Sequence, residues 1–190
     1  MTKKETTKDG FYPERAVLDT CVIINAMLRD NDKGLPDAWK RSAKLIDDGI
    51  GGKLELLLPS MVMVELATNH SMRSNRDGVK KSVIDECHER LVQWCKDSEL
   101  TTIDLTDDAA DWILDHPVLQ ERIRPADAAV LASARFAGAS VVYSWDRQFA
   151  VYVAEANDTD PLGITVEEPP RLQVPAGDEQ LALFPDEDAD

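Results

Sequence analysis

The fold of this chain is constrained most by the alternation of short apolar runs with longer segments of helical pattern. Five runs have the length and composition of buried strands, and a segment with apolar residues at helical spacing follows each of the first four. Strands that are separated by helices tend to pair in parallel. The pattern therefore predicts an α/β fold, a three-layer sandwich with a mostly parallel central sheet and helices on both faces. The predicted strands are Arg15–Asp19, Leu54–Leu58, Thr101–Leu105, Ser140–Tyr143 and Ile164–Glu167.

The helical segments are bounded by residues that start or stop helices. Ser60 and Pro125 favour helix starts, and the Gly49–Gly52 stretch marks a break. A polar loop is expected over Asp30–Pro36, and a polar, basic stretch over Ser71–Lys81. The predicted helices are Thr20–Arg29, Asp37–Asp48, Met61–Asn69, a long helix through Cys95, Thr106–His116, Pro125–Ala137 and Arg147–Ala156.

The length of 190 residues is sufficient for one domain with its own core and loose ends. We expect a disordered leader over residues 1–14, one domain over residues 15–170 and an acidic, disordered tail over residues 171–190. The leader has no apolar core like that of a signal peptide, and nowhere do about 18 apolar residues follow one another. No membrane segment is predicted, and we expect a cytoplasmic protein.

The charge and the cysteine pattern limit the classes of function. A formal net charge of -15 argues against a protein that wraps duplex DNA by bulk electrostatics. It does not exclude a nucleic-acid substrate, because a metal site or a local basic cluster still attracts phosphates. The three cysteines have no CxxC spacing, and the three histidines form no ligand pair at helical or zinc-finger spacing. Both patterns argue against a zinc site or a disulfide framework.

Four acidic residues lie at the ends of apolar strand-like or helix-like runs: Asp19, Glu65, Asp127 and Asp146. An unpaired buried carboxylate is costly, so recurring acids against core segments indicate a shared cation, which we expect to be Mg²⁺ or Mn²⁺. Sites in doubly wound sheets form at the carboxyl ends of strands, and Asp19 and Asp146 each end one. All four acids are expected to face one crevice.

Each acid also has a structural interpretation. Asp19 and Asp146 are well placed to be N-caps, and Asp127, just after Pro125, is well placed to complement a helix dipole. Glu65 does not fit this interpretation, because it interrupts the apolar helix start MVMVELA too deeply for capping. A buried glutamate with a chance partner such as Arg73 remains the alternative for that position.

The four acids lie in four sequence blocks: Ala16–Ile24 (AVLDTCVII), Pro59–Leu66 (PSMVMVEL), Pro125–Ala134 (PADAAVLASA) and Val141–Phe149 (VVYSWDRQF). These blocks resemble the motifs of PIN-domain nucleases, in the family's order. The resemblance implies a PIN fold, Rossmann-like, and a metal-dependent endonuclease that usually acts on RNA. It implies that the four acids bind one or two Mg²⁺ or Mn²⁺ ions, which would activate a water molecule against a phosphodiester.

The resemblance also implies supporting hydroxyl groups at Thr20 and Ser144. Cys21 departs from the small polar residue that is common after the Asp-Thr pair, and a thiol is a weak hydrogen-bond donor.

Substrate contacts are predicted close to the third and fourth blocks. Arg122 and Arg124 precede Asp127 and are expected to line the same cleft, where they would hold phosphates. Trp145 is the one aromatic residue considered for stacking on a base. A second basic group, Arg73, Arg76, Lys80 and Lys81, is more simply interpreted as solvated charge.

The tail carries a separate signal. From Pro175 onward it has six acids and no Lys or Arg, yet it contains the apolar segment Gln180-Leu181-Ala182-Leu183-Phe184. The segment resembles the QLxLF peptide by which bacterial replication and repair proteins bind the sliding clamp, through Gln180, Leu181, Leu183 and Phe184. Packing of this segment back on the domain is the alternative.

Three functional hypotheses follow. The first is a ribonuclease that resembles VapC-like toxins, with RNA as substrate and an antitoxin that blocks the acidic cleft; related PIN domains often form homodimers. The second is a clamp-recruited nuclease that acts on RNA or on single-stranded or flapped DNA at replication or repair sites. The third is a non-enzymatic adaptor that binds through its tail, against which the intact acids argue.

Overall fold

The computed structural model describes residues 12–28, 37–68 and 81–172. Within these ranges five strands form one parallel sheet in the order β3-β2-β1-β4-β5, which confirms the predicted α/β sandwich. The strands are β1 (Arg15–Leu18), β2 (Glu55–Pro59), β3 (Thr101–Ile103), β4 (Val141–Tyr143) and β5 (Thr165–Glu167).

The strand order explains why helices cover both faces of the sheet. The chain moves outward from β1 to β2 and β3, then crosses to β4 on the other side of β1 and continues to β5. Parallel crossovers are right-handed, so connections that progress in opposite directions along the sheet place their helices on opposite faces. The direction reverses between β1 and β4, where Val17 pairs with Val142. That point is the topological switch point of the sheet.

The helices agree with the sequence prediction except for one short element. They are α1 (Thr20–Leu28), α2 (Ala38–Ile50), α3 (Ser60–Thr68), α4 (Lys81–Asp97), α5 (Asp107–Leu114), α6 (Pro117–Arg122), α7 (Pro125–Phe136) and α8 (Arg147–Thr159). The unpredicted element, α6, has 6 residues, which is too short for an apolar period to be recognised. It begins with a proline at its first position and ends just before α7.

The core is built from the central strands and the helices that pack on them. Leu18, Leu58 and Val142 are completely buried, as expected for strands covered on both faces. In α7 every residue from Ala128 to Ala134 is buried, and small side chains allow this helix to approach the sheet closely. The first turn of α7 is thereby fixed relative to the strand ends.

The amino-terminal boundary of the domain differs from the prediction. Tyr12 is 5% exposed, and its hydroxyl donates to Asp48 Oδ2 at 2.7 Å, so Tyr12 and the buried Pro13 belong to the domain instead of to a leader that ends at residue 14. The contact was not predicted because its partner lies far along the chain. Residues 1–11 are outside the described ranges.

The carboxyl-terminal end of the domain is attached to α2. The Arg41 guanidinium donates to the carbonyl groups of Pro169 and Pro170, and it also contacts the carboxylate of Glu168 at 3.2 Å. The chain is therefore fixed to the domain up to residue 170. In the described part of the chain, no helix combines the length and the apolar character needed to cross a bilayer.

Candidate active site

The four predicted acids occupy positions around the switch point of the sheet. Asp19 directly follows β1, and Asp146 follows the adjacent strand β4 at the same sheet edge. Glu65 lies in α3, which follows β2, and Asp127 lies in the first turn of α7. These four acids, the acidic cluster, are connected by the hydrogen bonds and ion pairs described below.

Asp19 is a buried carboxylate whose two oxygens both accept hydrogen bonds. The residue is only 7% exposed. Oδ1 accepts from the Thr20 backbone N–H at 2.7 Å, and Oδ2 accepts from the Ser144 hydroxyl at 2.6 Å. Hydrogen bonds of this kind compensate the cost of burying the charge and fix its orientation.

Cys21 supports Asp19 in spite of being a thiol. Its Sγ donates to Asp19 Oδ2 at 2.9 Å and accepts from the Trp145 backbone N–H at 3.1 Å. Burial raises the pKa of the Cys21 thiol well above its usual value, and the charge of Asp19 raises that pKa further. The thiol therefore remains protonated and keeps its proton for the donation to Asp19.

Thr20 connects Asp19 to Glu65. While its backbone N–H donates to Asp19, its Oγ1 donates to Glu65 Oε2 at 2.5 Å. Glu65 is half-buried, and its partner Thr20 is the first residue of α1, just after Asp19. The predicted supporting role of Thr20 is consistent with this geometry, as is that of Ser144, which also accepts from the Asp146 backbone N–H at 3.0 Å.

Asp146 combines the structural and the functional interpretation. Asp146 is the N-cap of α8, and its Oδ1 accepts from the backbone N–H groups of Gln148 and Phe149 at 2.9 and 3.1 Å. Its Oδ2 points instead to the side of the site that holds Arg124, whose Nη2 donates to it. One carboxylate thus fixes a helix start and contributes an oxygen to the cluster.

Arg124 joins the third acid to the fourth. Its Nε donates to Asp127 Oδ2 at 2.8 Å, and its Nη2 donates to Asp146 Oδ2. Burial raises the pKa of Asp127; Arg124 opposes this shift, while the charges of Asp19 and Asp146 raise the pKa further. The Asp127 hydrogen bond in turn raises the pKa of Arg124. The charges of Asp19, Asp127 and Asp146 therefore interact, and the positive charge of Arg124 partly compensates them.

The donor chemistry of the acidic cluster suits a hard divalent cation. Mg²⁺ and Mn²⁺ prefer carboxylate oxygens, and mutual repulsion among the acids is the condition that such a cation relieves. The position between Asp127 and Asp146 already holds a cationic group, the Arg124 guanidinium. In the described ranges, no three His, Cys, Asp or Glu side chains form a ready metal-binding group with the side chains as they stand.

Two predicted substrate contacts have other partners. Trp145 is only 8% exposed, because its indole N–H donates to Ser42 Oγ at 2.8 Å and the Arg41 guanidinium lies 4.6 Å from its ring centroid. Its ring is a core element and is not positioned to stack on a base, which corrects that prediction. Arg122 is exposed but is paired with Glu155 of α8 at 2.5 Å.

Sequence reasoning missed Arg41 and Ser42. Both lie in α2 and contact Trp145, the residue between Ser144 and Asp146. Nothing in the α2 sequence distinguishes them from other polar residues of an amphipathic helix. Gln180, Leu181, Leu183 and Phe184 lie outside the described residues, as do Arg73, Arg76 and Lys80.

Comparison with known proteins agrees with this fold. The sequence model of the PIN domain matches residues 16–154. No curated protein matches the sequence. One similar solved chain belongs to the crystal structure of VapBC2 from Rickettsia felis bound to a DNA fragment from their promoter, with 14% identity, a TM-score of 0.50 and coverage of 81% of this chain and 98% of that chain. Another belongs to the structure of FitAB bound to an IR36 DNA fragment, with 18% identity, a TM-score of 0.51 and coverage of 84% and 98%.

Proposed function

Since this chain belongs to the PIN domain family, we propose that it is a divalent-metal-dependent endonuclease that hydrolyses phosphodiester bonds. The substrate we propose is single-stranded or structured RNA, as for VapC-like ribonucleases. The observation that carries the proposal is the continuous set of contacts from Glu65 through Thr20, Asp19 and Ser144 to Asp146. An isolated cap or a chance buried acid has no need of such a set.

The residues have distinct roles in this proposal. Asp19, Glu65, Asp127 and Asp146 would hold one or two Mg²⁺ or Mn²⁺ ions. A bound cation of this kind lowers the pKa of a bound water and neutralises charge on the leaving oxygen. Ser144, Thr20 and Cys21 fix the orientation of Asp19, so that its oxygens need no rearrangement when the substrate arrives.

The basic side chains that precede α7 would contact the substrate. Arg124 is 67% exposed and Arg122 is 56% exposed, so both guanidinium groups are accessible to phosphates. The Arg124 charge lies beside the negative acidic cluster, which would otherwise repel a nucleic-acid backbone. Substitution of either residue should weaken nucleic-acid binding and reduce its salt dependence.

The first test is cleavage of labelled single-stranded RNA, single-stranded DNA and flapped duplex DNA with Mn²⁺ or Mg²⁺ and with an EDTA control. Asp19→Asn should abolish cleavage, because it removes one charge from the site and disturbs the Ser144 contact. The matched control is Asp158→Asn: Asp158 is exposed near the far end of α8, whose other end is capped by Asp146. Cleavage that survives in Asp19→Asn would contradict the proposal.

A toxin-like role would add an antitoxin as partner. The resemblance to VapC-like toxins and the structural similarity to chains of VapBC2 and FitAB support this suggestion. Expression of the protein should then arrest growth in an Asp19-dependent manner, and a small neighbouring gene should relieve the arrest. Harmless expression would argue against the toxin role without affecting the nuclease proposal. A homodimer is part of the same suggestion and is testable by light scattering.

The tail supports a second candidate function, a nuclease recruited to the bacterial sliding clamp. The supporting observation is the segment QLALF at residues 180–184, an apolar sequence within an acidic tail. Replacement of Gln180, Leu183 and Phe184 by Ala should abolish binding to the clamp and leave cleavage unchanged. Unchanged binding would refute recruitment. Preferred cleavage of flapped DNA over RNA would favour this function over the toxin-like one, and no cleavage of any substrate would favour the adaptor.

A further inference from the structure

Both oxygens of Asp146 are occupied, and by different kinds of partner. Oδ1 accepts two backbone N–H groups at the start of α8, so its release would weaken the helix cap. Oδ2 accepts from Arg124 alone among the hydrogen bonds described for it. The oxygen through which Asp146 could bind a cation is therefore the one that the guanidinium now contacts.

The Arg124 ion pairs are of a kind that exchanges easily. The side chain is 67% exposed, so solvent screens its attraction to Asp127 and Asp146. Asp127 is by contrast only 13% exposed and Asp146 29%, and Asp146 is also held by two backbone N–H groups, so both carboxylates are more constrained than the arginine. An exposed cation thus lies against two less exposed anions.

We propose that Arg124 is the counter-ion of the metal-free acidic cluster and that a divalent cation must displace it from Asp146 in order to bind. The inference rests on the proposed function. It assigns Arg124 two successive positions: against Asp127 and Asp146 in the metal-free protein, and at the mouth of the site, available to a substrate phosphate, once a cation is bound. Its backbone, fixed just before Pro125 at the start of α7, keeps the released guanidinium nearby.

Direct Mn²⁺ binding to the full chain, without nucleic acid, tests the displacement. Isothermal titration would compare wild type with Arg124→Gln, which keeps a polar side chain but removes the competing charge. Loss of the two exposed Arg124 ion pairs should shift the Mn²⁺-binding equilibrium by about three- to tenfold. The dissociation constant for Mn²⁺ should therefore be about three- to tenfold lower in Arg124→Gln.

Arg122→Gln is the matched control. It removes the same charge only two residues before Arg124, but the Arg122 side chain is paired with Glu155 and not with the acidic cluster. Its Mn²⁺ affinity should change less than twofold. Equal or weaker binding by Arg124→Gln would overturn the proposal, as would an equal gain in Arg122→Gln or the absence of Mn²⁺ binding in all variants. The expected Mn²⁺ affinities together with no cleavage of any nucleic acid would overturn the nuclease proposal while leaving the counter-ion assignment standing.

Discussion

Two buried serines provide a matched test of the hydrogen bonds that hold Asp19. Ser144 and Ser133 are each 2% exposed. The Ser144 hydroxyl donates to Asp19 and accepts from the Asp146 backbone N–H, whereas Ser133 Oγ has no hydrogen-bond partner among the described residues. The same substitution, serine to alanine, should therefore have different consequences at two positions of equal burial.

The expected magnitudes follow from the partners that are lost. Ser144→Ala removes a hydrogen bond to a carboxylate, worth about 1.5–3 kcal/mol, and leaves the Asp146 N–H without its acceptor, at a cost of about 1 kcal/mol. Cys21 still donates to the same Asp19 oxygen, which limits the loss. The free energy of unfolding should fall by about 2–3 kcal/mol in Ser144→Ala. In Ser133→Ala it should stay constant or rise by up to about 1 kcal/mol, because an unsatisfied buried hydroxyl is removed.

Urea unfolding monitored by tryptophan fluorescence measures this difference, and thermal unfolding gives an independent value. For a domain of this size, 1 kcal/mol corresponds to about 2–4 °C, so Ser144→Ala should melt about 4–12 °C below wild type. Ser144→Thr keeps the hydroxyl and should recover most of the loss. Equal stabilities of the two alanine variants would refute the reasoning, because they would show that the Ser144 contacts contribute nothing to the buried Asp19.

Three further predictions concern individual contacts. Cys21→Ser should preserve Mn²⁺ affinity, because a hydroxyl also donates to Asp19, while Cys21→Ala should weaken it about tenfold; equal affinities would contradict the role of the thiol. Tyr12→Phe should lower the free energy of unfolding by about 1–2 kcal/mol at pH 7. Burial opposes the charge of Asp48, but hydrogen bonds from Lys44, Lys53 and Tyr12 lower its pKa below its ordinary value. The stability difference between Tyr12→Phe and wild type should therefore shrink as the pH falls through that lowered pKa, and a constant difference would contradict this prediction. The pH dependence is opposite for Asp127, because burial raises its pKa. Its contribution to the free energy of unfolding is complete below the pKa of the unfolded chain and is lost as the pH rises through the pKa in the folded protein. Metal-free Asp127→Asn should therefore be at least as stable as wild type at pH 7 and should lose that advantage in acid; a large loss of stability at pH 7 would favour a purely structural role for Asp127.

The fold and the positions of the acids could be predicted because local patterns carry them. Apolar runs such as Leu54–Leu58 identify strands, and the rule that sites form at the carboxyl ends of strands brings Asp19 and Asp146 together once β1 and β4 are neighbours. The short helix α6 was missed because its 6 residues, fewer than two helical turns, do not establish a period. Local pattern thus determines which elements form, but it carries no information about which polar side chains meet across them.

The failure at Trp145 shows this limit most clearly. Its sequence neighbours, Ser144 and Asp146, both face the site, and this context suggested an exposed ring. Its actual partners, Ser42 and Arg41, lie about one hundred residues earlier in α2, in a helix whose sequence gives no sign of the contact.

Arg124 follows the same logic in the opposite direction. Its position three residues before Asp127 placed it correctly near the site, but its second contact, with Asp146, depends on how α7 packs beside β4. A substrate-binding arginine and a counter-ion have the same sequence signature, a basic residue just before an acidic motif. Only the contacts of the guanidinium with both carboxylates distinguish them, and those contacts support the proposed counter-ion role. In the proposed function, the metal-free cluster, whose acids repel one another, would need a positive charge until a divalent cation binds, and a substrate phosphate would need one afterwards.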